Sequence, residues 1–107
     1  MKKVFIAGPY TKGDVAINVK KAMDIADEII DLGHAPFCPH LTHFLHMNKA
    51  QPYEKWLAID AEFLKCCDIA IRINGDSNGA DKEIELANKI GIPVCYSLNE
   101  LKEILES

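Results

Sequence analysis

No apolar run in the 107-residue chain approaches the roughly 18 residues that a membrane span needs. The opening "MKKVFIAGPY" carries lysines, but its apolar run is too short for a secretory signal. There is no internal repeat, low-complexity segment or linker, and a single domain over residues 1–107 is expected, with one modest core. Positive charge is also scarce: the net charge of −4 argues against non-specific binding to nucleic acid. The four cysteines, Cys38, Cys66, Cys67 and Cys95, lack zinc-ligand spacing. They read as buried, reduced thiols of a cytoplasmic protein. Nucleic-acid and membrane partners are therefore not expected.

What is present alternates. "KKVFIAG" is a buried strand ended by Gly8-Pro9. Asp14 is placed to cap a helix whose apolar positions run from Val15 to Ile30, ending at Leu32-Gly33. "HAPFCP" reads as a short strand, 40–52 as a loop or irregular segment, and 53–65 as a helix. "CDIAIRI" is a buried strand, and "NGDSNG" a turn into a helix from about Ala80 to Ile90. "GIPVCYS" is a strand and "LNELKEILE" a closing amphipathic helix. Strands alternating with helices give an α/β, Rossmann-like (flavodoxin-like) domain, with a parallel sheet of four to five strands flanked by helices. Ligands in such sheets bind beyond the carboxyl ends of the strands. That location selects the loops 8–14, 39–52, 73–79 and 97–99.

Two carboxylates stand where apolar residues belong. On the 53–65 helix, Tyr53, Trp56, Phe63, Leu64 and Cys67 share one face, and Asp60 falls in its middle. A carboxylate against a core costs several kcal/mol unless it is paired or lines a cavity. Asp60 therefore either caps a neighbouring loop or borders a pocket, and the second reading is the sharper one. On the following helix, Ala80, Ile84 and Ala87 define the apolar stripe. Glu83 lies about 60° from the stripe and Glu85 about 130°, so Glu83 is the one tucked against the sheet. The stretch "DSNGADKEIELA" has glycine and serine before a helix, as phosphate cradles do, but no Lys-Ser or Lys-Thr pair, which excludes a nucleoside-triphosphate P-loop. Two carboxylates in one pocket suggest glycosidic chemistry on a small substrate.

The residues that carry this reading also carry a resemblance. "VFIAGPY", "YEKWLAIDAEFLKCCDIAI" and "SNGADKEIELANKIGIPV" follow one another in the order and spacing of the nucleoside 2-deoxyribosyltransferase superfamily, which includes the 2'-deoxynucleoside 5'-phosphate N-hydrolases. The chain resembles that superfamily over roughly residues 3–96. The resemblance implies a small nucleoside or nucleotide as partner, no cofactor and no metal. It makes Glu83, in the pattern Gly79–Glu83–Ile84–Ala87, the nucleophile. It makes Asp60, eight residues before Asp68, the pocket aspartate, and Ser77, six residues before Glu83, the phosphate-holding serine. The "GPYT" turn, with Gly8, Pro9 and Tyr10, would line the sugar and phosphate side.

One position departs from the family pattern. The first-strand tyrosine whose hydroxyl contacts the glutamate is replaced by Phe5, so either Tyr10 reaches in from the loop or the activity is weakened, altered or lost. A homodimer or higher oligomer is expected, because the apolar face of 53–65 is broad and the related enzymes complete their sites between subunits. His40, His43 and His46 stand at three-residue steps. They read as loop and surface hydrogen-bonding positions ahead of metal ligands, and Trp56 reads as a core residue ahead of a base-stacking one.

Overall fold

The computed structural model describes residues 1–106. Four strands form one fully parallel sheet: β1 (Lys3–Ala7), β2 (Ala35–Phe37), β3 (Ile69–Arg72) and β4 (Val94–Cys95), in the order β2-β1-β3-β4. Phe5 faces Phe37 on one side and Ala70 on the other, and Ile71 pairs with Cys95. Helices α1 (Val15–Asp31), α2 (Thr42–Asn48), α3 (Tyr53–Leu64), α4 (Asn78–Ile90) and α5 (Leu98–Glu106) complete the α/β architecture expected from the alternation.

Alternation along the strands splits the core in two. Val4, Ile6, Ile69, Ile71 and Cys95 pack against Ala22 and Ile29 of α1 and Leu101 of α5. Phe5, Ala7 and Ala70 face the other way, onto Leu64 of α3 and Ala80, Ile84 and Ala87 of α4. The small residues on α4 let that helix lie close to the sheet. An aromatic stack runs from Phe5 through Phe37 to Phe63, with ring centroids 5.6 Å and 4.6 Å apart. Burying one such side chain contributes about 1.5–3 kcal/mol.

Local chemistry sets the ends. Asp14 accepts the Ile17 N–H and caps α1, as expected. Ser77 accepts the Ala80 N–H at 3.1 Å and starts α4 at Asn78, two residues before the expected Ala80. Gly91, left-handed at φ 84°, ends it.

Two expectations are corrected. Residues 40–52 are not irregular: Pro39–Leu41 form a 3-10 turn, and Thr42–Asn48 form α2. None of the α2 side chains is buried, and its apolar residues, Phe44, Leu45 and Met47, stand in the open. The cysteines are all free, but only Cys38 and Cys95 are buried, while Cys66 is exposed on the surface. No helix among the described residues is long and apolar enough to cross a membrane. Ser107, the last residue of the expected unit, lies outside the described residues.

Candidate active site

The chain leaves β1 toward β2 on one side, and later returns to place β3 on the other side of β1. The loops after β1 and β3 touch at their bases, Gly8 beside Ile73 and Gly75 beside Pro9, and then run to helices on opposite faces of the sheet, which opens a crevice at the carboxyl ends of these two strands. A cavity of about 540 Å³ occupies this position. That is within the range of small-molecule sites. Gly8, Tyr10, Thr11 and Lys12 line it from the β1 loop, and Asp76, Ser77, Gly79 and Glu83 from the β3 loop and α4. Helix α3 contributes Tyr53, Trp56, Leu57 and Asp60, and the 39–51 segment contributes His40, His46 and Gln51.

Of the seven expected site residues, Glu83, Asp60, Tyr10, Gly8, Ser77 and Gly79 converge on this one cavity. Pro9 does not line it. Pro9 is buried behind the wall, and its carbonyl accepts a hydrogen bond from His40 Nε2 at 2.9 Å. Its ring fills the space beside Gly75.

The two carboxyls share a poorly solvated environment. Asp60 is 7% exposed, and its Oδ1 has no hydrogen-bond partner among the described residues. Burial pushes its pKa to about 7. Glu83 is partly buried, and loss of water raises its pKa to about 8; the Asp60 charge adds to the rise, while Arg72 opposes it. At neutral pH the pair therefore holds at least one proton between them, the condition under which one carboxyl can attack while the other moves a proton. Glu85 is exposed, as its helical angle required.

The N-terminus of α4, one turn before Glu83, gathers hydrogen-bond donors and positive charge. The Ser77 oxygen is committed to the Ala80 N–H, but its own proton remains free to donate. The amides of Asn78 and Gly79 open the first turn of α4, where the helix dipole is positive. Lys12 lies beside them, in a 2.7 Å pair with Asp76, and Lys82 adds a second cation. Arg72, which the sequence reading passed over as a strand residue, holds this loop from behind. Its guanidinium donates to the Ile73 carbonyl, to the Gly75 carbonyl at 2.9 Å and to Asp81 Oδ1 at 2.9 Å.

The histidines go to separate partners. His40 is buried, and burial holds its pKa low. The His43 ring bonds the Tyr10 hydroxyl. That hydroxyl is therefore engaged with His43 and does not simply supply what Phe5 lacks. His46 Nδ1 accepts both the Trp56 indole N–H at 2.9 Å and the Gln51 N–H at 3.2 Å, so the neutral ring carries its proton on Nε2. Trp56 is correspondingly half-buried and lines the cavity, and it is not a core residue. Its position one helical turn from Asp60 was the signal available in the sequence. Among the described residues no three His, Cys, Asp or Glu side chains converge as metal ligands.

This parallel α/β fold is shared with a solved 2-deoxyribosyltransferase. The chain is similar to the solved 2-deoxyribosyltransferase of the psychrotolerant bacterium Bacillus psychrosaccharolyticus, with a TM-score of 0.61 and 25% identity over 86% of this chain and 69% of that one. That enzyme is described as a biocatalyst for the synthesis of antiviral and antitumoral nucleosides. No curated protein matches the chain. The chain belongs to the family described as a domain of unknown function, DUF7768, whose model matches residues 2–97.

Proposed function

We propose that this protein cleaves or transfers the N-glycosidic bond of a nucleoside or (deoxy)nucleoside 5'-monophosphate, with Glu83 as nucleophile. The observation that carries the reading is the convergence of Glu83 and Asp60, both with raised pKa, on one cavity that also takes in the N-terminus of α4. The singly protonated pair rests with its proton mainly on Glu83; in the minor tautomer the proton sits on Asp60, the ionised Glu83 attacks C1' and the C1'–N bond breaks, giving a glycosyl-enzyme ester and a free base. Asp60 in its protonated form supplies the proton that the departing base nitrogen takes up. Water, or a second base, then attacks C1' and releases Glu83. Ser77 and the amides of residues 78–79 hold the 5'-phosphate. That anion contact is the reason to place hydrolysis of a monophosphate ahead of transfer between free nucleosides.

The test is incubation of the purified protein with a panel of nucleosides and nucleoside monophosphates, with free base followed by chromatography. Release of base by the wild type, lost in Glu83→Gln, supports the reading. A second reading, a nucleotide-binding module without turnover, is favoured by one observation. Phe5 is fully buried and has no hydroxyl to offer the site. No base from any substrate, together with thermal stabilisation by one of them, would establish that alternative.

A further inference from the structure

Gly79 is a glycine at a position that gives it no backbone reason to be one. It lies in the first turn of α4, and its φ is not in the left-handed region. Glycine there costs up to about 1 kcal/mol of helix stability relative to alanine. The explanation is steric. A Cβ at Gly79 would stand 2.6 Å from the Tyr53 hydroxyl oxygen and 3.6 Å from Leu57 Cδ2. The hydroxyl thus occupies the volume that a side chain at 79 would fill.

Glu83 follows Gly79 by four residues. Side chains on an α-helix lean toward the N-terminus and lie over the residue one turn earlier. The Glu83 carboxyl therefore leans back over Gly79, toward the space that the Tyr53 oxygen fills. Both residues line the cavity. The phenol also feels the carboxylate: burial raises the Tyr53 pKa first, and the Glu83 charge adds to the rise. Among the described residues no hydrogen bond engages the hydroxyl, so its proton is available.

We propose that Tyr53, held over Gly79, is the positioning residue for Glu83, its free hydroxyl turning to donate to the carboxylate when Glu83 is ionised and setting the line of attack. This deepens the glycosidase reading and rests on it for its catalytic consequence. The hydroxyl comes from α3 and not from the first strand, where Phe5 stands. Glu83 has other charged and titratable neighbours. Asp60 faces it from α3, Arg72 acts from β3, Lys12 lies on the β1 loop and Lys82 on α4 itself, while His40 and His46 line the same cavity. Asp60 favours the protonated form of Glu83 and Arg72 the ionised form. A donor hydrogen bond favours the ionised form and fixes its direction as well.

Tyr53→Phe removes one oxygen from a side chain that is 50% exposed, and it keeps the ring for any stacking role. With a turned-over substrate, kcat should fall roughly 10- to 100-fold, the range of one hydrogen bond to a charged group, while KM stays within about twofold. The acid limb of the kcat profile should move to higher pH. Gly79→Ala should reproduce the loss by displacing the hydroxyl, although alanine is the better helix former, and should add little in the Tyr53→Phe background. Independently of turnover, the Glu83 carboxyl of the wild type, Tyr53→Phe and Gly79→Ala, followed by 13C NMR and assigned by its disappearance in Glu83→Gln, should titrate at higher pH in both variants.

An unchanged Glu83 titration in both folded variants overturns the proposal, whatever the activity. So does a loss confined to KM, which would make Tyr53 a platform for the base. If the wild type turns over no substrate while the titration shifts as expected, the glycosidase reading fails and the Tyr53–Glu83 contact stands.

Discussion

Replacing Glu83 with glutamine should make the protein both inactive and more stable, with the gain confined to neutral and alkaline pH. Burial and the neighbouring Asp60 raise the Glu83 pKa from 4.5 in the free side chain to about 8 in the fold. A raised carboxyl pKa means that the folded state holds the proton more tightly than the unfolded chain. Its contribution is fully favourable below about pH 4.5 and is lost as pH rises through about 8. At 1.36 kcal/mol per pH unit, that window could remove at most about 5 kcal/mol. Asp60 titrates in the same range, so part of the loss belongs to the pair, and about 2–3 kcal/mol is a fair expectation for Glu83 alone. Glutamine has nearly the same shape and no charge to desolvate. For a domain of this size, 1 kcal/mol corresponds to about 4–8 °C. Thermal melts from pH 5 to 9 should therefore show Glu83→Gln unchanged near pH 5 and raised by roughly 8–20 °C at pH 8.5. The rate of base release should fall at least about a hundredfold. Glu85→Gln, on the exposed side of the same helix, is the control and should change neither quantity. A gain in Tm independent of pH, a destabilised variant at pH 8.5, or damage from Glu85→Gln in place of Glu83→Gln would refute the placement of this carboxyl against the sheet.

The remaining tests address the anion contact and the assembly. Ser77→Ala should raise KM for nucleoside monophosphates and leave KM for unphosphorylated nucleosides nearly unchanged, and an equal rise in both would reduce Ser77 to a helix cap. Arg72→Met should cost about 3 kcal/mol or more in denaturant unfolding, because two loop carbonyls and Asp81 lose their donor inside the fold. It should also raise monophosphate KM by misplacing Ser77, and a variant with wild-type stability and KM would show that the loop holds itself. Light scattering at micromolar concentration should report a dimer or larger, since Tyr53, Ile59 and Phe63 leave much of the α3 surface exposed. A monomer mass would remove the case for a shared site.

The fold was legible in the sequence because each signal was local. Apolar runs of strand length, an Asp14 cap and glycine stops need no long-range information, and the placement of the cavity at the carboxyl ends of the strands follows from strand alternation, while the strand order that picks out the β1 and β3 loops does not. Asp60 and Glu83 were also legible, since a carboxylate on an apolar helical face is a conflict that periodicity displays. What was not legible depended on contacts between distant segments. Arg72 read as one more residue of a buried strand, and only the coordinates show its guanidinium holding the turn 73–75. The tautomer of His46 depends on donors five and ten residues away, Gln51 and Trp56, brought together by the fold of the 42–56 arm. Helix α2 escaped notice for the opposite reason. It is only 7 residues long and buries nothing, so the helical spacing of Leu41, Phe44 and Leu45 is too short to stand out from a loop.

The close approach of the two cavity loops limits how this site can change over evolution. A Cβ at Gly8 would meet Ile73 Cβ at 2.9 Å, and one at Gly75, where φ is 128°, would meet Pro9 Cγ at 2.6 Å. Each loop thus carries a glycine pressed against a bulky residue of the other, and neither can accept a larger side chain unless its opposite yields. The Gly8–Pro9 and Ile73–Gly75 side of the cavity is consequently frozen as a unit. The 39–51 segment is under no such constraint. It carries Leu41, Phe44, Leu45 and Met47 in the open, and it brings His46 to the cavity from α2, a helix with no buried residue of its own, and Gln51 from the loop that follows. Single substitutions there can reshape this side of the cavity without disturbing the packed bases of the two loops.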